Sequence, residues 1–535
     1  YWIADEKGNK QIKHVLMTAR ELDVRQVPEA RSRWNNPHFV YTHGYGLVVS
    51  EASRQTPDGM PEFLIKNAPP EIGKPWFKLT RPEIYFGEVV HEPVFVRTKQ
   101  PEFNYPSGSE NVHSSYDGKG GIPIGSFGMK LAAAVANSDW NIIFTQFMTG
   151  ESRMMIRRRV AERVEELAPF IRWDEDPYVV ITDAGRLVWM IDGFTTSDDY
   201  PYAKPMRRFN YIRNSVKATV DAYDGTVKMY VFDEADPIIR AYRRLFPTLF
   251  LDKSQMPADM RAHARYPEPL FRVQAEIYRT YHMRDPEAFY NKEDLWDISN
   301  TTYEQQGAVQ QATPRYIVGT VPGSMTPEFL LTLPFAPRNK QNLVGLMMAR
   351  SDGEHLGELV VLEMSKQELI YGPMQVKARI NQDQNISKDL SLWNQQGSKV
   401  IRGQLVVLPV DKNFLYIEPI YLQAAQAPMP QLRKVAIALG NQLAYADTYE
   451  QALEQIGAGA ASRVATKESV GAAVAAVKAQ ETGAAPTTPA PRVDEARKLD
   501  EIRNRMRRYR ELISQGKLAE AGRELEAVQE LVGRD

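Results

Sequence analysis

At 535 residues with 43% hydrophobic content, the chain is long enough for about three domains at roughly 150 residues each and is too rich in apolar side chains to be disordered. Lys and Arg number 66 against 67 Asp and Glu, which excludes an overall field for holding nucleic acid or an anionic surface. The absence of cysteine excludes disulfides, thiolate metal sites, thiol nucleophiles and Fe–S ligation, and it suits an oxidising compartment.

No apolar run approaches the roughly 20 residues that cross a bilayer; stretches such as Gly403 to Val410 are strand-sized. The first residue is Tyr1 and no basic-then-apolar signal region follows, so the sequence is expected to be a processed product or a fragment. In chain order, a helix is predicted over Ser152 to Phe170, where Met155, Val160, Val164 and Leu167 recur near helical spacing. Hairpins are predicted at Pro177 to Asp192 and at Val216 to Asp233, each with alternating apolar residues around a tight turn, Asp183-Ala184-Gly185 and Asp224-Gly225. A second helix fits Pro257 to Met283, with Leu270, Val273, Ile277 and Tyr281 as its stripe, and a β-rich region runs from Tyr316 to Leu422.

Composition changes near Gly457. Through Arg492 the chain is dominated by Ala, Gly, Thr and Pro, which cannot offset chain entropy by burial and reads as a flexible linker over 457–492. The tail, 493–535, reads as a helical hairpin, Asp494 to Leu512 and Leu518 to Leu531, around Ser514-Gln515-Gly516-Lys517. The whole is α+β: a β-rich mixed body with many loops over 1–456, with two or three subdomains, then linker and hairpin. No internal repeat of fixed period is present.

No P-loop, Rossmann glycine fingerprint, HExxH, GxSxG or EF-hand loop occurs. The most unusual string is FVYTHGYG, Phe39 to Gly46, where His43 is either a ligand or general base or a loop histidine bonded within the fold. Asp174 and Asp176, with Asp221 and Asp224, are candidate Ca²⁺ ligands because carboxylates in turns suit an ion that wants six to eight oxygens. Asp-Pro and Asp-Gly are equally ordinary turn chemistry. The strings TRPEIYFGE (Arg81, Glu83, Tyr85) and HARYPEPLF (His263, Arg265), together with Arg213 in NYIRNSVK, offer arginine, carboxylate and tyrosine for a sugar or carboxylated ligand, or else ion pairs that lock loops. The basic face at Arg503 to Arg510 is offset by nearby acids, so no nucleic-acid partner is expected.

Several of these strings, with ESRMMIRRRVAERVEELAPF, RYPEPLFRVQ, YHMRDPEAFYNKEDLW and YGPMQVKARINQDQNISKDLSLWNQQGS, resemble the uncharacterised protein family 0182 over roughly the first 455 residues, in order. That resemblance implies large bacterial membrane proteins with about seven N-terminal transmembrane helices and a large domain outside the cytoplasm. It implies no reaction, cofactor or catalytic residue. The chain is therefore expected to be the extracytoplasmic, periplasmic or extracellular, domain alone, tied to the plasma membrane through helices it does not contain. Three roles follow. The leading one is non-catalytic, structural or binding, with self-association or an envelope polymer as partner. The second is a polymer-processing enzyme with His43, Arg81, Glu83 and Asp176 in one cleft. The third is the ligand-collecting part of a transporter or channel.

Overall fold

The computed structural model describes residues 1–4, 10–74, 76–90, 93–303, 308–395, 397–410 and 413–458, together with Asn504, Arg505, Arg508, Arg523 and Ala527. The chain divides into two compact units, Tyr1–Gly459 and Ala460–Asp535. The first unit is α+β, with many small, mostly antiparallel sheets. The linker and hairpin expected at 457–492 and 493–535 lie outside the described residues, except for Gly457, Ala458 and the five single positions named above.

A four-stranded sheet opens the fold: β1 (Val15–Ala19), β2 (Leu47–Gln55), β3 (Pro61–Lys66) and β4 (Glu71–Ile72), in that spatial order. Next come β5 (Val94–Val96), a hairpin of β6 (Glu102–Ser107) and β7 (Glu110–Ser114), β8 (Ile122–Pro123), helices α1 (Phe127–Asn137) and α2 (Asn141–Phe144), and β9 (Arg153–Met155). β9 pairs with both β8 and β5. The helix predicted from Ser152 is therefore shorter than expected: α3 covers Val160–Leu167 only. Met154 and Met155 are buried opposite Phe95 and Val94, and Arg157 has φ +49°, a backbone conformation that a right-handed helix cannot contain.

Both predicted hairpins are present in a six-stranded sheet. Its strands are β10 (Arg172–Trp173), β11 (Tyr178–Ile181), β12 (Leu187–Ser197), β13 (Tyr211–Asp221), β14 (Val227–Val231) and, beyond α4 (Pro237–Leu245), β15 (Phe250–Asp252). The turns depend on Gly185 at φ +79° and Gly225 at φ +67°, conformations in which a Cβ is strained. Apolar residues of this sheet meet those of the four-stranded sheet in the largest core, where Leu47, Val49 and Ile65 join Leu187, Trp189 and Val220. Trp189 is almost fully buried and its indole N–H donates to the Phe86 carbonyl at 2.9 Å; truncation to Ala there costs about 3–5 kcal/mol.

The helix predicted over Pro257 to Met283 is broken in two. A short turn at Ala258–Arg261 is followed by extended chain, and α5 spans Glu268–Tyr281. Pro267 explains the break, because the residue before it, Tyr266, is pushed away from the helical region. The buried face of α5 is Leu270, Phe271 and Ala275, whereas Tyr281 is exposed, so the predicted stripe was rotated.

Farther on, β16 (Trp296–Ile298), β17 (Arg315–Gly319), β18 (Glu328–Pro337), β19 (Gly345–Arg350) and β20 (Leu359–Glu363) form one sheet. Two helices, α6 (Pro373–Gln382) and α7 (Gln384–Trp393), interrupt the region expected to be β-rich. The last sheet holds β21 (Ser398–Arg402), β22 (Val406–Val410), β23 (Asn413–Ala424), β24 (Ala427–Leu439) and β25 (Gln442–Ala446). α6 is locked on this sheet by a buried group: Glu418 of β23 pairs with Arg402 of β21 and lies 3.5 Å from Lys377 of α6.

Candidate functional site

A cavity of about 1930 Å³ is a cleft walled by β1, β11, the Ala258–Arg265 segment and the start of β17. Its charged centre is Arg265. The guanidinium lies 3.9 Å from the centre of the Tyr178 ring and 4.9 Å from that of Tyr316, and Nη2 donates to Asp176 Oδ2 at 3.2 Å. The backbone is fixed from below: the Arg265 carbonyl accepts from Lys217 Nζ at 2.8 Å, and Lys217 is ion-paired with Asp192, each side chain only 3% exposed. Asp176, by contrast, is 82% exposed. The cation is thus pre-positioned by two aromatic faces, while its carboxylate partner is open to water and exchangeable.

Other cleft groups have altered proton affinities. His263 packs tilted against the Tyr1 ring, centroids 4.1 Å apart; burial first, then the nearby α-amino group, push its pKa down to about 4, so the imidazole is neutral near pH 7. His14 is lowered in the same direction by burial. Glu88 is pushed up to about 7 by partial enclosure and then by the carboxylates of Glu21 and Asp176. Both oxygens of Glu21 accept backbone amides, those of Glu88 and Val89, each at 3.0 Å.

The second polar constellation is closed. The tripeptide Tyr-Asp-Gly occurs at 116–118 and again at 223–225, and the two copies clasp each other reciprocally. Tyr116 donates its hydroxyl to Asp224 at 2.5 Å, Tyr223 donates to Asp117 at 2.6 Å, and the rings lie 4.8 Å apart. Each aspartate also takes an arginine: Arg81 binds Asp117 at 2.6 Å, and Arg186 binds Asp221 at 2.6 Å and Asp224 at 3.1 Å. Side-chain Cβ atoms at Gly118 or Gly120 would run into Asp224 and the Tyr116 hydroxyl, so only glycine lets this loop lie flat on the turn.

Tyr85 packs edge-on against both clasp tyrosines, at 5.0 and 5.4 Å, and donates to the buried carboxylate of Glu102 at 2.8 Å. Glu102 also accepts from Thr42 Oγ1 at 2.5 Å and from the Tyr116 amide at 3.0 Å. His43 completes the assembly, with Nδ1 2.8 Å from Thr42 Oγ1 and Nε2 3.0 Å from Asn104 Oδ1.

Of the residues singled out from sequence, Arg81, Tyr85, His43, Asp221 and Asp224 share this network, whereas His263, Arg265 and Asp176 line the cleft. His43 is 2% exposed and does not reach the cleft. Glu83 lies on a short strand opposite Tyr45, and its Oε2 is buried with no hydrogen-bond partner among the described residues. Arg213 stands apart, on Asp233 at 2.9 Å. His43 and Arg81 thus belong to the network, with Glu83 acting electrostatically on Arg81 and Tyr85, whereas Asp176 lines the cleft.

The four aspartates considered for calcium occupy two places. Asp174 lies opposite Asp192, whose carbonyl accepts its amide at 2.8 Å, while Asp221 lies opposite Val188. Four residues along β12 amount to about 13 Å at 3.3 Å per residue. At the second place the positive charge is already supplied by Arg186. No group of three or more His, Asp or Glu side chains among the described residues is arranged to hold a metal ion.

Sequence reasoning missed Glu102, Tyr116, Asp117, Arg186 and Tyr223; the repeated Tyr-Asp-Gly was the signal that could have found four of the clasp's members.

The family model described as Uncharacterised protein family (UPF0182) matches residues 1–393. The chain belongs to this family. A UPF0182 protein of Solibacter usitatus is 59% identical over 527 residues, 98% of this chain and 57% of its own length. UPF0182 proteins of Desulforamulus reducens and Methanospirillum hungatei are 44% and 43% identical, covering 84% and 86% of this chain but 48% and 51% of their own lengths. The chain thus spans about half the length of the curated relatives it matches. No solved structure matches it. Among the described residues, no helix is long and apolar enough to cross a membrane.

Proposed function

We propose that this UPF0182 chain is the extracytoplasmic binding portion of a membrane-tethered bacterial envelope protein, and that its cleft receives a segment of an envelope polymer. The observation that carries the reading is the cleft itself. Its volume of about 1930 Å³ exceeds the roughly 300–1,000 Å³ of sites for compact small molecules, which favours an extended ligand. Arg265, braced by Tyr178 and Tyr316 over an exposed Asp176, suits a ligand that carries carboxylate and planar polar groups, as cell-wall glycopeptides do. The rest of the protein, about half its length in the relatives, supplies the tether in this reading.

The test is calorimetric titration of the 535-residue chain with soluble cell-wall glycopeptide fragments. Saturable binding is expected, weakened about tenfold by Arg265→Ala, the loss of one desolvated cation–π clamp. No binding heat, or binding indifferent to Arg265, sinks the cleft assignment. The compartment is tested separately. Tyr202 is fully exposed, so Tyr202→Cys in the full-length protein should react with a membrane-impermeant maleimide in cells whose inner membrane is intact; labelling only after lysis excludes the extracytoplasmic placement.

A further inference from the structure

Seven large apolar side chains stand exposed within 23 residues, Ile122 to Phe144: Ile122, Phe127, Met129, Leu131, Val135, Trp140 and Phe144. Elsewhere in the described body such residues are scattered, as single exposed apolar groups on a soluble surface normally are. Here they follow a pattern. Phe127, Leu131 and Val135 recur every four residues on α1, which places them in one row along the helix.

The opposite side of α1 explains why the row faces outward. The helix is held to the body by its alanines: Ala133 and Ala134 are buried against Phe39, Phe95, Ile142 and Met148. Ser126 caps its start by accepting the Met129 amide at 3.3 Å, and Ser138 at φ +52° turns the chain into α2. The large residues are therefore set outside by a helix whose attachment surface is already complete. Phe127 is 69% and Phe144 78% exposed.

We infer that this α1–α2 ridge is a lipid-contact surface, whose apolar row enters the headgroup and acyl boundary of an anionic bilayer. Charge points to lipid as the occupant. From Gly118 to Gly150 the charged residues are Lys119, Lys130 and Asp139. Asp139 is engaged internally, accepting from the Trp34 indole at 2.6 Å and from Asn141 at 3.0 Å. No other carboxylate in the segment repels phosphate headgroups, and Lys130, beside the row one turn after Phe127, can extend its ammonium to them along its apolar stem. The aromatic rings of Trp140 and Phe144 suit the same boundary. The ridge is independent of the cleft and requires no tether, so its failure and that of the binding reading are separate results.

The test is flotation of the 535-residue chain with vesicles of phosphatidylethanolamine and phosphatidylglycerol. Expected are co-flotation with the vesicles and a loss of about tenfold in the bound fraction for Phe127→Ser/Phe144→Ser, each substitution removing burial of a large apolar side chain. Tyr202→Ser/Tyr290→Ser, at exposed aromatics outside the ridge, should leave flotation unchanged, and matching melting curves will show that all variants are folded. The inference is overturned if the chain stays at the bottom of the gradient or if both double variants float equally. It is also overturned if sedimentation reveals a dimer that Phe127→Ser/Phe144→Ser dissolves, since the ridge would then face a second copy.

Discussion

The Tyr-Asp-Gly clasp and the cleft draw on the same six-stranded sheet and use similar residues, arginine, aspartate and tyrosine, to opposite ends. In the clasp every aspartate is matched: Asp117 by Tyr223 and Arg81, Asp224 by Tyr116, Arg186 and the Lys119 amide. In the cleft both pairs are made but only the floor is sealed: Lys217 and Asp192 are buried together, while Asp176 meets Arg265 in water. A closed network holds the fold and leaves no group free to exchange partners. A network closed at the base and open at the rim can trade Asp176 for a ligand.

The sharpest way to break this contrast is at the cleft floor. Asp192→Ala leaves Lys217 buried without its carboxylate, with the Arg265 carbonyl as its remaining acceptor. Removing one partner of a buried pair costs about 3–5 kcal/mol, so denaturant unfolding should reveal the largest loss here. Asp176→Ala at the rim should cost well under 1 kcal/mol, as exposed pairs do. Equal losses at the two positions would erase the distinction between floor and rim.

The clasp should answer next. Tyr116→Phe and Tyr223→Phe each remove a hydroxyl that donates to a carboxylate, a loss of about 1.5–3 kcal/mol. Because the two tyrosines contact each other and bind each other's aspartates, the double variant should lose measurably less or more than the sum of the singles. Strict additivity would mean that the two tripeptides stabilise the fold independently, and the reciprocal geometry would then have no energetic meaning.

A smaller effect is expected from the histidine of the cleft. His263 has its pKa depressed to about 4 by burial, against roughly 6.5 in an unfolded chain. Between those values the unfolded state binds more protons, so stability rises with pH. The contribution is fully present above about 6.5 and is lost as pH falls toward 4. Melting temperature should drop from pH 7 to pH 5, and His263→Phe, which keeps a ring against Tyr1, should flatten that slope. An unchanged slope would remove His263 from the list of groups that couple folding to acid.

These contrasts also explain what could be read from the sequence. The hairpins were legible because Asp-Ala-Gly and Asp-Gly are local turn chemistry: Gly185 and Gly225 need nothing distant to adopt positive φ. The helix limits were not, because Met155 carries helical spacing yet is claimed by Val94 from a strand about 60 residues away. His43 attracted notice through its aromatic and glycine neighbours, but its burial depends on Glu102 and Asn104, which carry no local mark. The cleft joins residues from 1–27, 176–183, 258–265 and 314–352, and no string in the sequence announces that meeting. The α1 row was overlooked for a different reason: its spacing is that of an ordinary core-facing helix, and only burial distinguishes inside from outside.

The smallest expected effect concerns calcium. A cation at Asp221 and Asp224 would have to displace Arg186, which reaches Asp221 through both Nε and Nη2, at 2.8 and 2.6 Å, and also touches Asp224. Asp221 further accepts the amides of Tyr223 and Asp224, so the oxygens that calcium would use are already committed. Asp174 cannot complete the shell from about 13 Å away along the sheet. Melting temperature should therefore be the same in millimolar Ca²⁺ and in chelator, because a ligand stabilises only in proportion to its binding of the native state. A rise with Ca²⁺ that Arg186→Gln enlarges would show that the guanidinium and the metal compete for one site, and the clasp would then be a switchable element like the cleft rim.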